Sequence, residues 1–157
     1  MGQRAARLLA GEGASVRVAS RTLRKAEETC SAIRARIPNA KLEPRQCGSE
    51  AETGKALDGA SIVIAAGAAG VELLSAQMLK SAAAVRVAID LNAVPPVGIG
   101  GIGSGAKGEV RDQVACYGAL GVGGTKMKIH RAALQKLFTA NNLVLDAEEI
   151  FQIGKAL

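Results

Sequence analysis

The run Ser20-Arg21-Thr22, followed by Arg24 and Lys25, places a hydroxyl and several cations where an apolar strand gives way to a helix. A guanidinium holds phosphate through two parallel N–H bonds and a hydroxyl adds a neutral donor, so the combination suits a phosphate monoester. A solvated basic helix start is the plainer reading. Positive charge at a helix N-terminus opposes the dipole, however, and calls for a compensating anion. At the end of the second strand of a dinucleotide-binding unit, NAD proteins place an acid that accepts from the ribose 2′-hydroxyl and would repel a 2′-phosphate. With Ser20, Arg21 and Lys25 there instead, the expected cofactor is NADP.

A dinucleotide also needs a place for its pyrophosphate, normally a G-x-G-x-x-G turn between a buried strand and a helix N-terminus. Gly2 alone can stand for the last of those glycines, so the sequence given begins inside the fingerprint, without the first strand. Further contacts are expected where later strands empty into loops, because ligands of open α/β sheets bind beyond the carboxyl ends of the strands. Ala66 ends the apolar run Ser61–Ala66 and Gly67 follows it, Asn92 follows Val85–Leu91 with Asp90 beside it, and Gly123 lies in a glycine cluster after Val114–Leu120. Plain tight turns explain the same glycines without a ligand. Gly121-Val122-Gly123-Gly124-Thr125-Lys126 superficially resembles a P-loop, but the spacing is absent and Lys and Thr are in the wrong order. No catalytic residue and no metal site is assigned.

The elements that must position these residues alternate strand and helix, which predicts an α/β fold. The expected form is Rossmann-like and doubly wound, a mainly parallel sheet with helices on both faces and its first strand missing. Ala5, Ala6, Leu8, Leu9 and Ala10 predict a first helix closed by Gly11 and Gly13. A strand over 15–19, a helix over 23–37, a short edge or irregular strand over 41–46 containing Pro44, and a helix over 49–57 follow. The run 61–66 reads as a strand covered on both faces, and 71–81 as a helix. Strand 85–91 leads to Pro95-Pro96 and then to a glycine-rich stretch, 97–108, expected to be an irregular, mobile loop or strap. Strand 114–120, a helix ending at Phe138, a short strand 143–145 and a terminal helix capped by Asp146 complete the chain.

The 157 residues fit a single domain, 1–157, incomplete at its N-terminal side. Aromatic residues make up 2% and tryptophan is absent, so the core must be built from small and aliphatic side chains. The net charge of +6 is scattered rather than clustered and lacks stacking residues, which argues against nucleic acid and for an anionic cofactor. No run reaches the roughly 18 apolar residues of a membrane span. Cys30, Cys47 and Cys116 are spaced too widely for a metal knuckle and read as reduced thiols of a cytoplasmic protein.

Five strings carry a family resemblance: Gly2-Gln3-Arg4-Ala5-Ala6, Ser20-Arg21, Asp90-Leu91-Asn92-Ala93-Val94-Pro95-Pro96, Gly118 to Lys128, and Leu145 to Phe151. They resemble the NADP-binding domain of the methylenetetrahydromethanopterin dehydrogenases of bacterial one-carbon metabolism. The resemblance implies hydride transfer between the methylene carbon of a reduced pterin, or a related folate, and the nicotinamide of NADP. It also implies a substrate cleft shared with an N-terminal domain that this sequence does not contain. Two readings stay open: a fragment or half of such an enzyme, and a catalytically silent nucleotide-binding or interaction module derived from one. A more distant enzyme reading is a shikimate-dehydrogenase-like NADP oxidoreductase. Without the first strand, the strands near Val16–Val18 and Ile62–Ile64 lose their shared neighbour, which predicts either direct closure or a homo-oligomer that fills the gap.

Overall fold

Small side chains at Ala6 and Ala10, one helical turn apart, let helix α1 (Gly2–Gly11) lie close to strand β1 (Val16–Ser20). In this computed structural model, which describes residues 1–157, Ala6 and Ala10 pack with Cys30 and Ile33 of α2 (Leu23–Arg34) and with Leu42 of β2 (Leu42–Gln46). Gly13 closes α1 with a φ of 86°, which favours glycine. β1 and β2 pair in parallel, and Pro44 is tolerated because β2 is an edge.

Helix α3 (Glu50–Leu57) starts on a reciprocal cap in which Ser49 accepts from Glu52 N–H and the Glu52 carboxylate takes the Ser49 N–H. It leads into β3 (Ile62–Ala65), then α4 (Ala76–Ser81), β4 (Val87–Asp90), β5 (Lys107–Arg111), β6 (Val114–Tyr117), α5 (Gly123–Leu137) and α6 (Ala147–Lys155). The second sheet runs in the order β3-β4-β6-β5, parallel except for the antiparallel β5–β6 hairpin. Its core is separate and larger, centred on Val85, Ala88, Ile99, Val114 and Cys116. The chain is therefore α/β, but its strands form two sheets rather than the single sheet expected, and β1 and β3 do not pair.

The two halves are tied by polar contacts. Arg17 on β1 donates to the carbonyls of Ala56 and Asp58 at the end of α3. Arg7 Nη2 donates to Glu148 Oε2 at 2.8 Å in an ion pair, and Lys155 reaches Glu12 at 2.9 Å, which binds the last helix to the first.

Several expectations are corrected. The helix expected over 71–81 begins only at Ala76: Leu74 is drawn into a parallel bridge with Ile99, and the Ser75 hydroxyl accepts from Met78 N–H to start the helix there. The stretch 97–106 is irregular, as expected, apart from the bridge at Ile99, but it is packed into the core rather than open. Ile99, Ile102 and Ala106 are buried, and its end enters β5. No strand forms over 143–145, where Val144 is left 83% exposed with no strand to pair with. The strand at 62–65 forms but is not covered on both faces, since Ile62 is 51% exposed. No helix is long and apolar enough to cross a membrane.

Candidate functional site

The carboxyl ends of β1 and β3 meet at the N-terminus of α1. A Cβ added to Gly2 would sit 3.3 Å from the Ala66 Cβ just beyond β3, tighter than ordinary contact, so glycine allows this approach. The next residue, Gln3, donates from Nε2 to Thr29 Oγ1 at 3.3 Å. With Ser20, Lys25, Glu28, Thr29 and Ala32 it lines a cavity of about 410 Å³. Sequence reasoning had singled out Ser20 and Lys25 there but not Gln3, Glu28 or Thr29. No local signal marks those three, because only the packing of α1 beside α2 brings them together.

The electrostatics of this corner favour an anion. Arg24 is spent on Glu28 at 2.8 Å, which neutralises the one acid in the cavity. Arg21 and Lys25 have no ion pair. Arg21 is exposed in the turn between β1 and α2, and its carbonyl oxygen lies 3.3 Å from where a Cβ on Gly48 would stand. Ser20 ends β1 with its carbonyl accepting from Cys47 N–H at 2.8 Å. Neither α1 nor α2 has a side-chain cap, so N–H groups at both N-termini stay available. The Cys47 thiol next to this corner is pushed above its ordinary value chiefly by burial.

The other candidates are placed at strand ends but serve different needs. Asp90 is 1% exposed; its Oδ1 accepts Asn92 N–H and its Oδ2 accepts Ile99 N–H, each at 2.9 Å. Asn92 is also buried, accepting from Val94 N–H at 3.0 Å and donating to the Pro96 carbonyl at 3.3 Å. One N–H and one lone pair of its amide remain for any ligand. Gly67 faces Leu73, whose flexible Cδ1 would lie 2.7 Å from an added Cβ. Gly123 opens α5 with nothing within 4 Å of an added Cβ, so its backbone is approachable. Gly118 and Gly121 differ: their added Cβ atoms would fall 2.2 and 1.7 Å from the carbonyl oxygens of Gly103 and Ala106, so packing alone requires them.

No family model matches the chain. It is 39% identical over 146 residues to the bifunctional protein MdtA of Methylorubrum extorquens, a match covering 93% of this chain and 50% of that protein. It is 36% identical over 102 residues to the NAD(P)-dependent methylenetetrahydromethanopterin dehydrogenase of the same organism, covering 63% of this chain and 34% of that protein. The chain thus spans about half the length of the first relative and about a third of the second.

Proposed function

On the premise that the chain is a relative of the methylenetetrahydromethanopterin dehydrogenases, we propose that it is the nucleotide-binding part of an NADP-dependent oxidoreductase of that kind. The reaction would pass a hydride between a methylene carbon of a reduced pterin or folate and the nicotinamide of NADP. The observation that carries the cofactor reading is the unpaired Arg21 and Lys25 beside Ser20, at the corner where the N-terminus of α1 meets the ends of β1 and β3. Ser20, Arg21 and Lys25 would hold the 2′-phosphate. Gly2 would give the pyrophosphate access to the helix N-terminus, with Ala66, Gly67, Asn92 and Gly123 bordering the rest of the cofactor.

We read the architecture as Rossmann-like. Two partial orders support that reading: β2-β1 matches strands 3-2, and β3-β4-β6 matches strands 4-5-6, of the doubly wound order 3-2-1-4-5-6. Bound NADP supplies or accepts the hydride. What the protein contributes is positioning and exclusion of water, which require a second wall for the pterin. By that reading the protein works in the cytoplasm, and the chain by itself gives no more than trace hydride transfer. A catalytically silent nucleotide-binding module is the alternative reading.

Titrating the purified chain with NADP and NAD by calorimetry tests the proposal. NADP should bind measurably tighter, and equal affinities for the two would remove the phosphate assignment. Robust oxidation of the methylene pterin by residues 1–157 alone would overturn the view that a second wall is needed.

A further inference from the structure

We propose that Arg24 sets the cofactor preference of this corner without meeting the cofactor: by holding the Glu28 carboxylate, it keeps the Lys25 ammonium free for a 2′-phosphate. The inference rests on the NADP reading above and adds a positioning residue to it. It starts from a choice made on the surface of α2. Glu28 has two cations within helical reach, Lys25 three residues before it and Arg24 four residues before it. Glu28 takes Arg24, with Nη1 and Oε1 2.8 Å apart, and Lys25 is left without an ion pair.

Helix stability does not account for this pair. The first turn of α2 holds no acid, and Arg24 and Lys25 stand there against the dipole. An arginine four residues before a glutamate is also the weaker order of such a pair. Both side chains are well exposed, 79% and 58%, so their contact contributes little to folding. What the pair does decide is the charge of the cavity, because Lys25 and Glu28 line it and Arg24 does not. The Thr29 hydroxyl, on the same wall, is already used: it donates to the Lys25 carbonyl at 3.0 Å and accepts from Gln3 Nε2 at 3.3 Å. The charged groups lining the cavity are therefore one cation and one carboxylate, and Arg24 determines whether they cancel each other.

Without Arg24, the Glu28 carboxylate turns to Lys25. The cation of the cavity is then spent, and the carboxylate that remains stands beside a phosphate monoester carrying nearly two negative charges. Freeing Lys25 from an exposed ion pair costs the phosphate up to about fivefold in affinity, and screened repulsion adds a factor of about two. NAD carries a hydroxyl in place of that phosphate and depends little on either charge. Losing Arg24 thus narrows the discrimination between the two cofactors while leaving the rest of the site as it is.

The test titrates the whole chain with NADP and with NAD by calorimetry in about 50 mM salt, where exposed charges are little screened. Arg24→Ala should weaken NADP by about 3- to 10-fold and shift NAD by less than about twofold. Arg24→Lys, which still reaches Glu28, should stay within about twofold of wild type for both. In a Glu28→Gln background there is no carboxylate to hold, so the same Arg24→Ala change should cost NADP less than about twofold. Three results would overturn the proposal: an Arg24→Ala chain that binds NADP as wild type does; a loss just as large in the Glu28→Gln background, meaning that Arg24 meets the phosphate itself; or an equal loss for NAD, meaning that the start of α2 is disturbed. Equal binding of NADP and NAD by the wild-type chain would remove the cofactor reading and this inference with it. A wild-type preference for NADP combined with any of the three results removes this inference alone.

Discussion

Replacing Asp90 by alanine removes the buried side chain that ties the start of the loop after β4 to Ile99. The carboxylate is buried and accepts two backbone N–H groups, one from Asn92 and one from Ile99. A hydrogen bond to a charged group contributes about 1.5 to 3 kcal/mol, and its loss leaves a buried donor unmade. Two such bonds sum to about 3 to 6 kcal/mol, and water entering the vacated space offsets part of that, so we expect Asp90→Ala to cost about 3 to 5 kcal/mol. Asp90→Asn keeps the volume but can accept only one of the two N–H groups, and should cost about half as much. Urea unfolding followed by far-ultraviolet circular dichroism reads the effect. With a slope of about 2 kcal/mol per molar, Asp90→Ala should lower the midpoint by about 1.5 to 2.5 M. A loss below about 1 kcal/mol would refute the reasoning and mean that the loop is held without the carboxylate.

Other outcomes follow from particular contacts. Gly121→Ala forces a Cβ to within 1.7 Å of the Ala106 carbonyl, so the turn or the strap must move; a loss of more than about 2 kcal/mol in thermal or urea unfolding is expected, and an unchanged midpoint would contradict it. Glu52 is held below its ordinary value of 4.5, first by the Gly48 N–H and then by Ser49 and Gln46. Its folded value being lowered, its contribution is complete above that ordinary value and is lost as the pH falls through the lowered one. Glu52→Gln should therefore flatten the acid limb of a stability-against-pH curve without steepening it elsewhere. Burial raises all three thiols, and Cys30 and Cys116 are also shielded, so a disulfide reagent at neutral pH should react slowly with Cys47 and reach the other two only on unfolding.

Periodicity made much of this fold legible. Ala26, Cys30 and Ile33 fall on one face of α2 and are its buried residues, and the apolar runs of β4 and β6 lie inside the second sheet. What escaped depended on partners distant in sequence. Lys107-Gly108-Glu109-Val110-Arg111 has no apolar alternation and carries a glycine, yet it is a strand because it lies along β6. Its hairpin turns at Asp112 and Gln113, both at positive φ, where glycine or asparagine would have announced the turn. The strap 97–106 looks like a loop by composition, but Ile99 and Ile102 anchor it in the core. At the site, Ser20, Arg21 and Lys25 could be read locally, since they follow one strand into one helix. Gln3 could not, because its place depends on α1 lying beside α2.

The central claim is that Ser20, Arg21 and Lys25 receive a 2′-phosphate, and the affinity of the Arg21→Ala chain for NADP and NAD, compared with wild type, tests it most directly. Arg21 has no ion pair to lose, so the substitution should leave folding intact. Affinity for NADP should fall by about 1.5 to 3 kcal/mol, roughly 10- to 150-fold, while affinity for NAD stays within about twofold. Equal losses for the two cofactors, or none for either, would contradict the account.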